Sequence, residues 1–343
     1  MVSVDFPRRL ELGRLDTPIE PLAGLSERLG KDLRIWRDDL TGWALGGNKI
    51  RKLEYLCAEA LEQGADHLVT CGGPQSNHAR ATVFAARHLG LDATVVVREP
   101  PGGFDHDAVP NGNLLLNRLL DAQFVFIPFD DYRAAGGVYE PFLERTAAKL
   151  AAAGARPYII GEGGSCPLGC WGYINAMQEL SAKMGDTPFD LFCAVGSGGT
   201  LAGLELGRHF LPGARVHGVN VCDSADYFRN RIGRLLDDFM QAFPNCGVRH
   251  DGRPLDLLDG FVGQGYAVAE DEDLRFYAEF ARESGVLLDP VYTGKAFRGM
   301  LHYLAERPDD FHDTIVFLHS GGQFASFAFA GQYAKAIGTM GAD

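Results

Sequence analysis

The chain has 343 residues, 46% apolar and 22% charged, with a net charge of −13. That is enough for one large or two medium domains with a proper core, and an acidic chain without a basic stripe argues against a nucleic-acid binder. No apolar run reaches membrane-spanning length, the N-terminal "MVSVDFPRRLELG" lacks a signal-peptide core, and seven scattered cysteines suit neither a disulfide framework nor a CxxC site. A soluble cytoplasmic enzyme with no nucleic-acid or membrane partner is expected. Cys166 and Cys170 in "CPLGC" are a near miss for metal spacing; packed thiols are the plainer reading.

In chain order, "GGNKIRKLEY" (46–55) comes first. Lys49 stands where a helix with apolar positions Leu53, Leu56 and Ala60 begins. A helix mouth carries partial positive charge and disfavours an ammonium, so a lysine there is poised to lose its proton. Strand 67–71 follows, leading through "CGGPQSNHAR" into a helix over Ala79–His88. Ser76, Asn77 and His78 occupy its N-cap and first turn, where they serve either as simple caps or as part of an anion site. Strand 93–97, a helix over Asn111–Leu120, strand 123–127 and a helix over Tyr139–Ala153 continue the alternation. "YIIG" opens the next unit.

Strand 190–195 runs into "GSGGT", and strand 216–221 follows the intervening helix. Backbone N–H groups of Gly196, Ser197, Gly198, Gly199 and Thr200 suit a phosphate cradle. A dinucleotide fingerprint fails, because Leu201 stands where the third glycine belongs. "LLDPVYTGKAFRGM" delivers Tyr292 at a segment end, with a helix starting near Thr293. Tyr292 is either a proton donor to a cleft or a packed ring. Lys295 is a rival amine expected to face outward. Strand 314–319 ends in His319 and Ser320, whose hydroxyl either closes a turn or meets a ligand nitrogen.

Continuous apolar strands alternating with helices predict an α/β protein with two open, mostly parallel-sheet domains and a cofactor cleft between them. The expected division is a small domain over 51–157 and a discontinuous large domain over 1–50 and 158–343. A lysine with a disfavoured ammonium, a phosphate cradle and a hydroxyl for a heteroaromatic nitrogen together match the needs of pyridoxal 5'-phosphate.

The sequence also resembles the D-cysteine desulfhydrases and 1-aminocyclopropane-1-carboxylate deaminases, of the tryptophan-synthase-β-like fold (PLP fold type II). "GGNKIRKLE", "QSNHAR" and "DPVYTGKA" carry the likeness, which runs from "TPIEPL" to "LHSGG". "NVCDSADYF" and "GCWGYINA" look most like the plant-type desulfhydrases. The resemblance implies that Lys49 carries the cofactor and moves the α-proton, and that Lys52 helps hold the phosphate beside Gly196–Thr200. It implies that Ser76 and Asn77 hold the substrate carboxylate, with His78 beside them and Asn77 near the cofactor. Tyr292 would be the second acid–base group, and Ser320 would face the pyridine nitrogen. Thr293 matches the desulfhydrases, whereas the deaminases have a glutamate there. Pro74, Glu162 and Cys166 depart from the plant-type pattern near the expected cleft. The resemblance thus implies a homodimeric lyase acting by α,β-elimination on a small β-substituted amino acid. D-cysteine is the leading substrate, with the cyclopropane deaminase reaction and elimination from L-cysteate as alternatives.

Overall fold

The computed structural model describes residues 4–42 and 46–338. Trp43–Leu45, part of the stretch that carries the family likeness, lie outside the described residues. The described residues form ten strands: β1 (Ile19–Pro21), β2 (Asp32–Trp36), β3 (His67–Gly72), β4 (Asp92–Arg98), β5 (Gln123–Ile127), β6 (Pro157–Ile159), β7 (Phe189–Val195), β8 (Ala214–Asn220), β9 (Asp256–Leu258) and β10 (Thr314–Leu318). They form a six-stranded sheet in the order β1-β2-β10-β7-β8-β9 and a four-stranded sheet in the order β5-β4-β3-β6. Every pairing is parallel except β1 with β2.

The apolar runs behave as parallel strands should. Along β10, Val316 and Leu318 enter one core cluster while Ile315 and Phe317 enter another on the opposite face. β3 and β4 split likewise, with Leu68, Val95 and Val97 on one side and Val69, Cys71 and Val96 on the other. Successive side chains point to opposite faces, so an unbroken apolar strand requires cover on both. The short strands β1, β2 and β9 are additions to the sequence reading. The expected domain limit at 157/158 falls inside β6, whose residues 157–159 pair with His67–Val69 of β3.

The helix Lys49–Glu62 joins the two sheets' cores. Leu53, Leu56, Cys57 and Ala60 pack into the cluster over the small sheet. On another face, Arg51 meets the helix Pro167–Met184 at Gly172, where an added Cβ would lie 2.6 Å from the Arg51 backbone. The fully buried Arg51 guanidinium donates to both Asp38 oxygens at 2.8 and 2.9 Å, to Glu179 Oε2 at 2.7 Å and to Leu15 O at 2.8 Å. Thr17 and Tyr173 hydroxyls complete Asp38 at 2.8 and 2.6 Å. Elsewhere, His217 of β8 bridges Asp190 and Asp256 at 2.5 Å each, and Arg215 bonds Asp190 at 2.7 Å.

Candidate active site

The carboxyl ends of β3, β4, β7, β8 and β10 and the heads of the helices that start at Lys49, Asn77, Gly199 and Thr293 converge on a cavity of about 200 Å³ lined by Lys49, Ser76, Asn77, His78, Tyr292 and Ser320 among others. Ligands of open α/β sheets bind at this edge. Gly196, Ser197, Gly198 and Thr200 line it too; Gly199 and Lys52 stand behind the wall.

Lys49 is the first residue of its helix. Loss of solvation pushes its pKa down to about 8, against the opposing pull of the Glu162 carboxylate. The helix mouth therefore sets its place, while burial is the main reason its ammonium is disfavoured. Lys52 donates to Gly163 O at 3.2 Å, and burial together with the neighbouring Lys49 charge holds it well below the ordinary lysine range.

The segment Glu162–Gly164 presses close to this amine. Gly163 has φ +67°, and a Cβ there would meet Ser197 Oγ at 2.3 Å and Lys49 Nζ at 3.4 Å, so only glycine fits. In the "GSGGT" loop, Gly198 has φ +88° and precedes the helix Gly199–Gly207. A side chain on Gly198 would strike Ile232 Cγ1 at 2.7 Å. The Gly199 amide is taken by Ser165 Oγ at 3.2 Å, and Thr200 Oγ1 accepts from Asn48 Nδ2 at 3.0 Å.

Ser76 caps the helix Asn77–His88, accepting from Ala79 N at 3.1 Å, which leaves its hydroxyl hydrogen for the pocket. Asn77 Oδ1 accepts from Asn113 Nδ2 at 2.8 Å, so its two amide hydrogens are available. Thr70 gives its hydrogen to Ile160 O, so His78 Nε2 is the donor in their 3.0 Å bond. Burial beside Lys49 and Lys52 depresses the His78 pKa well below its ordinary value, and the ring is neutral.

Tyr292 precedes the helix Thr293–Glu306, and its Oη lies 2.8 Å from Tyr266 Oη. Burial raises both phenols, Tyr266 to about 12 and Tyr292 well above the ordinary tyrosine value. Tyr266 is a pocket residue the sequence reading missed, because its loop shows no periodicity. Arg98, Arg231, Cys222 and Asp223 also line the cavity. Of the three departures from the plant-type pattern, Glu162 reaches the cavity, whereas Pro74 and Cys166 do not.

One expectation needs correcting, and a neighbouring residue keeps clear of the cavity. Lys295 is buried, not outward, because its Nζ donates to Val262 O and Gly265 O at 2.7 and 2.9 Å. Thr293 does not reach the pocket; its hydroxyl donates to Asp289 Oδ1 at 2.7 Å within a fully buried cap.

A family model described as "Pyridoxal-phosphate dependent enzyme" matches residues 10–321. The chain belongs to that family. It is 40% identical to a putative 1-aminocyclopropane-1-carboxylate deaminase of Thermotoga maritima, over 93% of this chain and 98% of the relative. It is 39% identical to a mitochondrial bifunctional D-cysteine desulfhydrase/1-aminocyclopropane-1-carboxylate deaminase of Arabidopsis thaliana, over 95% and 81% respectively. A crystal structure of an ACC deaminase homologue superposes with a TM-score of 0.84 at 34% identity, covering 97% of each chain. The fold is accordingly the tryptophan-synthase-β-like one of PLP fold type II. The site fits the cofactor of this pyridoxal-phosphate dependent family: a desolvated amine, a side-chain-free approach at Gly163 and a glycine loop at a helix head share one cavity.

Proposed function

We propose that this pyridoxal-phosphate dependent lyase eliminates the β-substituent of a small amino acid, with D-cysteine yielding pyruvate, ammonia and sulfide. The observation carrying this reading is Lys49, an amine with its pKa pushed to about 8 in one cavity with the Tyr266–Tyr292 hydroxyl pair. Bound pyridoxal phosphate would supply an electron sink for cleavage at the substrate's α-carbon. Lys49 would hold the cofactor and accept the α-proton, which an amine of lowered pKa does at neutral pH. Ser76 and Asn77 would orient the substrate carboxylate through their free hydrogens, with neutral His78 closing that wall without adding charge. The amides of Gly196–Thr200 would hold the phosphate, with Gly199 acting through the loop's shape because Ser165 occupies its N–H. Lys52 would support this end from behind, and Ser320 would face the ring nitrogen.

Tyr292 would be the second acid–base group. Its bond to Tyr266 supplies a partner that can receive or return a proton without opening the site to water. The same pair supports the second reading, opening of the aminocyclopropane ring, which appears in the name of the Arabidopsis relative. The neutral Ser320 favours elimination, since a hydroxyl does not hold a ring nitrogen protonated as a carboxylate would. A cytoplasmic homodimer with a small domain over 51–157 and a discontinuous large domain completes the proposal. Among the described residues no helix is long and apolar enough to cross a membrane.

The test measures pyruvate from D- and L-cysteine against 2-oxobutyrate from aminocyclopropane carboxylate. Faster pyruvate from D-cysteine supports the proposal; preference for the cyclopropane overturns it in favour of the second reading.

A further inference from the structure

Among the described residues two guanidinium groups line the cavity, and they differ. Arg231 is paired, meeting Glu162 at 3.0 Å and donating to Tyr227 Oη at 2.8 Å. Arg98, at the carboxyl end of β4, has no carboxylate partner among the described residues, and its Nε is buried without a hydrogen bond. Three rings hold it instead: Tyr132, Tyr266 and Phe129, with centroids 5.3, 5.5 and 5.7 Å from the guanidinium carbon.

Stacking fixes the plane of a guanidinium but engages its faces, leaving the N–H edge unused. A partly buried cation with unused donors is costly unless something fills them. The edge is a ready-made fork for an oxyanion, which it can bind with two parallel hydrogen bonds. Its position matters as much as its charge. Tyr266 stacks on Arg98 and hydrogen-bonds Tyr292, so the guanidinium lies beside the proposed acid–base pair. Of the acidic groups lining the cavity, Glu162 is neutralised by Arg231, and Asp223 is on the exposed rim.

We propose that Arg98 is a specificity residue for a negatively charged group on the substrate's side chain. The pocket then prefers an amino acid whose β-substituent is an oxyanion such as a sulfonate to an uncharged one of similar size. This rests on the amino-acid lyase reading and adds to it the residue that would recognise an anionic β-substituent.

The experiment uses the pyridoxal-phosphate-loaded protein and two unreactive probes, 3-sulfopropanoate and propanoate, which share a carboxylate and differ in the sulfonate. Calorimetry should find the sulfonate probe bound about 10- to 100-fold more tightly, the range expected of charge-assisted hydrogen bonds. Arg98→Met should abolish that preference. Arg98→Lys keeps the charge but loses the fork, so it should retain only part, and it decides the matter if the methionine variant does not fold. No preference in the wild type, or an undiminished preference in the variants, overturns the proposal. Wild-type pyruvate release from β-chloroalanine is measured alongside. Its absence would count against the lyase reading, whereas the probe preference reads Arg98 without turnover.

Discussion

Arg51 and Lys49 sit two residues apart on one helix, and the protein treats their charges in opposite ways. Arg51 is buried with two carboxylates, a backbone carbonyl and two aromatic rings around it, and its pKa is raised. Lys49 faces a cavity, makes no hydrogen bond among the described residues, and its pKa falls to about 8. A buried charge supplied with partners fixes structure. One denied them is kept reactive. The first region stabilises the helix that presents the second.

The largest expected effect breaks that pairing at its reactive end. Lys49→Ala should lower pyruvate release by at least about 10³-fold, the scale of losing a general base that also holds the cofactor. Its denaturation midpoint should stay level or rise, because a desolvated amine is removed. A fall in stability comparable to that of an Arg51-partner variant would break the contrast. Asp38→Ala supplies that comparison: it strands the Arg51 guanidinium and should cost about 3–5 kcal/mol in a urea unfolding titration.

The contrast was only partly legible in the sequence. Lys49, Ser76, Asn77 and the "GSGGT" loop stand at element boundaries, where glycine, capping residues and a following helix leave local signals. Arg51 and Lys52 both follow Lys49 closely, with nothing in the sequence to say which acquires Asp38, a partner from before the turn. Tyr266 and Arg98 enter the site through tertiary packing alone. The "ATVVV" run marks β4 but stops one residue short of Arg98. The sequence reading of Lys295 took the exposed end of a long side chain for granted, whereas backbone carbonyls of 262 and 265 turn it inward. β1 and β9, of three residues each, are too short to show a period.

Titration sharpens the comparison with a smaller effect. In cofactor-free protein, the rate at which an amine-reactive reagent labels Lys49 should rise through about pH 8, well below the ordinary lysine value of 10.5. Lys49's contribution to stability should grow between those values, because the unfolded chain binds the proton that the folded one has released. Labelling that rises only near 10.5 would remove the desolvation argument.

The smallest effect belongs to a second partnered cluster. His217, between Asp190 and Asp256, has a raised pKa, desolvation being outweighed by its two carboxylate bonds. Its contribution is full below the ordinary histidine value and is lost as pH rises through the raised one. Asp190 is lowered to about 2 despite desolvation, by bonds to His217 and Arg215, so its contribution is lost as pH falls from about 4 through 2. His217→Gln should flatten the alkaline side of the stability profile in pH-dependent unfolding titrations, against an unchanged profile if the cluster is not coupled to folding.

The approach of Gly47 to Ser320 adds a consequence in time. Asn48 N bonds Ser320 O at 3.0 Å, and a Cβ on Gly321 would lie 2.8 Å from Gly47 Cα, so two backbones some 270 residues apart must touch. During synthesis Lys49 emerges some 270 residues before the Ser320 wall beside it. Until then its amine is in ordinary water, protonated and unreactive. Contacts this distant in sequence form late and slowly, so a nascent chain cannot engage the cofactor chemistry before its architecture is complete.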